Sequence, residues 1–84
     1  MGLPKEPMTL TVEQLLDLDR KLAEMRHDVN GYLSLIIAAN ELIRLKPESV
    51  GRWAPTLSEQ PMKIKDAVTR FSTEFDKLLG ITRP

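Results

Sequence analysis

The chain has one histidine, His27, followed directly by Asp28. Near neutral pH an imidazole is a nucleophile at one nitrogen when the other holds the proton. An adjacent carboxylate can accept that N–H and stabilise the imidazolium that develops. Other chemistries find no residues. With no Cys there is no disulfide and no thiolate zinc site, and a lone His cannot build a His-rich metal cage. No G-x-x-x-x-G-K-[ST] loop, H-E-x-x-H pair or Ser–His–Asp set occurs. Twelve Lys plus Arg against twelve Asp plus Glu give a formal net charge of zero, which argues against a nucleic-acid partner held by phosphate neutralisation. The longest apolar run, Leu35 to Ala39, falls far short of the roughly 20 residues of a bilayer span. The start at Met1 has no signal-peptide pattern. A cytoplasmic protein without membrane contact is expected.

Two helices must position His27. The first opens with a capping box, Thr11 and Gln14, and a hydrophobic staple of Leu10 on Leu15. Apolar residues recur at Leu15, Leu18, Leu22, Met25, Val29, Tyr32, Ile36, Ala39 and Ile43, in steps of three and four. Pro47 disfavours helix at Lys46, so the rod is about 35 residues and roughly 50 Å long. In this heptad frame His27 takes the outermost position, away from the seam. By position alone it reads as an ordinary solvated surface histidine.

The second helix is expected from Ser58, as cap, to Leu79, with Gly80 as terminator and Pro61 harmless in the first turn. Its seam is Leu57, Ile64, Val68, Phe71, Phe75 and Leu78. Pro47, Gly51 and Pro55 mark a connection of about eleven residues, short enough to force an antiparallel hairpin. A hairpin centred near residue 51 puts His27 level with Phe75 and Asp76. After Val29 the first helix adds Leu33, Leu35, Ile37 and Leu42 beside its seam, a stripe too broad for one neighbour. The expected fold is therefore all-α: a helical hairpin (residues 11–80, between a leader 1–10 and a tail 81–84) that dimerises into a four-helix bundle. The bundle should run from about Met25 to Leu45, with a two-stranded coiled coil before it.

The segment Met25-Arg26-His27-Asp28-Val29-Asn30-Gly31-Tyr32-Leu33-Ser34-Leu35-Ile36 has His, an acid, then apolar residues two, six and nine positions on. It resembles the H-box of sensor histidine kinases, which lies on the first helix of their dimerisation and histidine-phosphotransfer domain. The resemblance covers about Leu15 to Leu79. It implies that His27 is the phosphoacceptor of a two-component system, with Asp28 as its orienting acid–base partner. Phosphate would come from ATP, with Mg²⁺, on a separate kinase domain in cis or in trans, and leave to an Asp on a response-regulator receiver. This chain holds no Gly-rich nucleotide loop and needs no cofactor of its own. Where many members of that family have Thr or Asn four residues after the His, and Pro five after, this chain has Gly31 and Tyr32. Family-type phosphatase activity is therefore not expected.

The hairpin register puts Thr73, Asp76 and Lys77 beside the site as the expected receiver-docking residues. Arg26 could hold an incoming phosphate but reads more simply as a solvated charge. Tyr32 reads as a core aromatic and Trp53 as a cap on the hairpin tip, with a partner-binding role as its alternative. The competing function is a non-catalytic dimeric helical scaffold or regulatory module with the same fold.

Overall fold

The structure, a computed structural model, describes residues 2–82; the last two residues of the expected tail and Met1 lie outside the described residues. Helix α1 runs Val12–Leu45, one turn of 3₁₀ helix covers Pro47–Ser49, and helix α2 runs Val50–Leu79. The two long helices pack on each other as an antiparallel hairpin. The expected capping box is present: Gln14 N–H donates to Thr11 Oγ1 at 3.0 Å, and Thr11 N–H to Gln14 Oε1 at 2.9 Å. Gly80 ends α2 at φ 65°, a left-handed conformation that glycine adopts without a Cβ penalty. No helix among the described residues is long and apolar enough to cross a membrane.

The start of α2 differs from the sequence expectation. The helix begins at Val50, about two turns before Ser58, and both Pro55 and Pro61 lie inside it. Each proline removes one helical hydrogen bond. Packing supplies the compensation, because Trp53, Ala54 and Leu57 continue the apolar side of α2 to the hairpin tip and become half-buried there. Ser49 is the residue at the cap position, yet its hydroxyl donates back to the Lys46 carbonyl at 2.6 Å rather than capping α2. The connection thus shrinks to Lys46 and one 3₁₀ turn.

A shorter connection moves the register. Lys21 Nζ lies 3.3 Å from Glu74 Oε2 and 3.0 Å from Asp17 Oδ2. With Lys21 opposite Glu74, His27 falls level with about Val68, one heptad from the expected Phe75 and Asp76. It also carries α2 down alongside the first turns of α1, so that Leu18 and Leu78 flank one groove. The stretch before Met25, expected to form a two-stranded coiled coil, has α2 of the same chain as its neighbour. Beyond it, Gly2 and Thr82 exchange backbone hydrogen bonds of 2.5 and 2.8 Å as an isolated bridge between leader and tail.

The molecule measures 59 × 28 × 13 Å. Its least dimension is about one helix diameter, so it is a single layer. Only the line where the helices meet excludes water, and there Ala39, Ala67 and Gln60 are the buried residues. The seam on α2 runs Trp53, Leu57, Gln60, Ile64, Ala67, Phe71, Glu74 and Leu78; of the expected seam residues, Val68, 46% exposed, and Phe75 lie to one side of it.

The two flanks of this layer differ. At about 100° per residue, one side of α2 presents Val50, Ala54, Leu57, Pro61, Ile64, Val68, Phe75 and Leu79, a strip without a charge along the whole helix. The antiparallel path of the chain turns Leu22, Val29, Leu33, Ile36 and Ile37 of α1 to the same side. Leu33, Ile37 and Val50 there are exposed, Ile37 by 67%. The other side carries the interhelical charges Lys21, Glu24, Asp28, Arg70 and Glu74.

Two substitutions probe this packing. A Cβ at Gly31 would meet no atom within 4 Å, so close packing does not require glycine in the middle of α1. Gly31→Ala should raise stability by about 1 kcal/mol, read as a rise of about 4–8 °C in thermal unfolding. Gln60 Oε1 is buried without a hydrogen-bond partner. Gln60→Leu should stabilise the chain by about 1–2 kcal/mol in urea unfolding, because it removes the desolvated acceptor and keeps the volume. A loss of stability would mean that the amide is held by groups outside this layer.

Candidate functional site

His27 projects from the middle of α1 on its outer side. The residues aimed at α2, namely Met25, Tyr32 and Ala39, lie roughly 140° round the helix from it. The imidazole is exposed and has no hydrogen-bonding or ionic partner among the described residues. The heptad expectation for His27 therefore matches its place in the structure.

Asp28 is placed differently from expectation. It is half-buried and lines the interhelical groove with Lys21 and Glu24 of α1 and Arg70 and Glu74 of α2, around a cavity of about 150 Å³. Consecutive helical residues do not face each other, and no hydrogen bond joins Asp28 to His27. The carboxylate that shares His27's flank is Glu24, one turn back. Arg70 is the feature that sequence reasoning missed. It was invisible because its level depends on where the connection ends, whereas its groove-side position follows from the α2 heptad once Ala67 and Phe71 are in the seam.

The expected docking residues are not beside His27. Thr73 and Lys77 are exposed and Asp76 is half-buried, all about one heptad further along the hairpin, a displacement of roughly 10 Å. Lys77 Nζ lies 3.9 Å from Glu74 Oε1. Arg26 is exposed and turned toward the uncharged side, away from the groove, and Tyr32 is half-buried as a seam aromatic.

The electrostatics around the groove come from exposed pairs. Arg20, and after it Lys21, hold the Asp17 carboxyl below the ordinary carboxylate range. Asp17, and then Glu74, raise the Lys21 ammonium above its usual value. Such exposed pairs report register more than they supply stability. Among the described residues no group of three or more His, Cys, Asp or Glu could hold a metal ion. No protein family, curated protein or solved structure matches this chain.

Proposed function

We propose that this chain is a histidine phosphoacceptor, a helical hairpin that pairs with a second copy through its uncharged side and offers His27 to a phosphoryl donor. The observation that carries the reading is the placement of His27. It is exposed on a flank turned away both from α2 and from the uncharged strip, so in-line approach to an imidazole nitrogen stays open when two copies pair.

The chemistry balances with few groups. An imidazole nitrogen attacks the γ-phosphorus of ATP held on a separate kinase domain. A P–N bond forms, the bond from phosphorus to the bridging oxygen breaks, and ADP leaves. The proton on the second nitrogen passes to a nearby carboxylate, Asp28 after side-chain rotation or Glu24 on the same flank. In the return step the carboxylate gives that proton back to the ring, a receiver Asp oxygen attacks phosphorus, the P–N bond breaks and neutral imidazole leaves. The receiver meets the outer surface of α1 around His27, and Thr73, Asp76 and Lys77 form the far border of that surface.

Dimerisation is supported by the thinness of the layer. Two such layers, uncharged side to uncharged side, would cover Leu33, Ile37, Val50 and Val68 and make a four-helix bundle. The test of the chemistry uses phosphoramidate, a donor that needs no kinase domain, or a kinase catalytic domain with labelled ATP. Base-stable, acid-labile phosphate on the chain is the expected result. A chain that takes up none from either donor would reject the phosphoacceptor reading and leave the scaffold alternative, which the uncharged strip supports by itself and which the oligomeric state tests separately.

A further inference from the structure

A second groove lies at the hairpin tip, away from His27. Leu42 and Leu45 of α1 and Trp53 of α2 wall a groove of about 220 Å³, with Lys46, Ser49 and Arg52 at its mouth. Leu45 is 64% exposed and Leu42 39%. The Ser49 hydroxyl is already engaged by the Lys46 carbonyl. Lys46 and Arg52 have no carboxylate partner among the described residues, and the Arg52 guanidinium lies 5.3 Å from the centre of the Trp53 ring. Arg52 and Leu42 both sit on the flank opposite the uncharged strip, so pairing of two copies through that strip would leave this groove open.

An apolar pocket of this size takes one large side chain, and the only charges at its mouth are two cations. We infer that the tip groove docks an acidic amphipathic helix of a partner protein, which seats one large apolar anchor between Leu42, Leu45 and Trp53 and sets carboxylates against Lys46 and Arg52. The argument for this occupant is charge complementarity. A broad anionic surface such as a bilayer fits less well, because it would also meet the exposed Glu48 of the connection, which a single helix seated between Lys46 and Arg52 can avoid; Glu41 is already paired with Arg44.

The chain's only tryptophan is in the groove, so its emission reports occupancy directly. The probe is a tryptophan-free helical peptide of about 15 residues, Leu and Phe at i, i+4 and i+7 and Glu on both flanks. Its control carries Lys in place of every Glu. The acidic peptide should bind at least about tenfold more tightly than the basic one, by labelled-peptide anisotropy, with a blue shift of Trp53. The double variant Lys46→Glu, Arg52→Glu should reverse that preference, and Leu45→Ser should weaken the acidic peptide without changing helicity. Equal affinity for the two peptides, an affinity indifferent to the charge reversal, or no saturation by about 1 mM would overturn the inference. A Trp53 shift caused only by anionic vesicles, or only by self-association, would equally overturn it by identifying another occupant.

Discussion

His27→Ala should leave no base-stable, acid-labile phosphate on the chain, while circular dichroism and thermal unfolding stay nearly unchanged. The loss should be complete because the chain has no other imidazole. Stability should be spared because the side chain is exposed and has no partner among the described residues, the class of site where substitutions usually fall within about ±0.5 kcal/mol. The carboxylates divide the remaining question. Loss of a positioned general acid or base typically slows a reaction by about 10²–10⁴-fold. Asp28→Asn should slow labelling into that range if Asp28 rotates out of the groove to take the proton. If Glu24→Gln slows it and Asp28→Asn does not, the role belongs to the residue one helical turn back. Full labelling of His27→Ala would reject the phosphoacceptor proposal.

Ile37→Asp should have the largest effect on assembly. In an isolated hairpin Ile37 is 67% exposed, so an aspartate there would be hydrated and nearly neutral in its effect. In a face-to-face dimer the same carboxylate would be buried without a partner, a situation that costs about 3–5 kcal/mol. The substitution therefore separates the two states more cleanly than Ile36→Asp, because half-buried Ile36 also supports the hairpin itself. Wild-type chain should sediment as a dimer with a melting temperature that rises with protein concentration. The variant should sediment as a monomer, melt much lower and lose the concentration dependence. Unchanged melting in Ile37→Asp, with a monomeric wild type, would reject the bundle and leave the single layer as the complete fold.

Local signals in the sequence held at the start of α1 and at the end of α2. Thr11 and Gln14 cap α1 in the expected way because both partners lie within one turn. Gly80 ends α2 because the left-handed conformation favours glycine. The outward place of His27 follows from a three-and-four spacing that a regular helix carries unchanged over its length. These features need no knowledge of what lies across the interface.

The prolines and glycine between Pro47 and Pro61 misled for a physical reason. Propensity treats Pro55 and Gly51 as breakers, yet burial of Trp53, Ala54 and Leu57 against the end of α1 outweighs two missing hydrogen bonds. Such burial is a tertiary quantity. Once α2 starts at Val50, every residue on it moves one heptad relative to α1. Seven residues leave the seam facing inward, so the hydrophobic pattern could not detect the shift. The same pairing brings Arg70 to the groove beside Asp28 and separates Thr73, Asp76 and Lys77 from His27. Sequence alone determined helix α1 with its capping box, the Gly80 end of α2 and which way His27 points, because those depend on neighbours a turn away. Only the tertiary structure decided which residues of α2 lie opposite His27, because that depends on the length of a connection whose own conformation is set by packing.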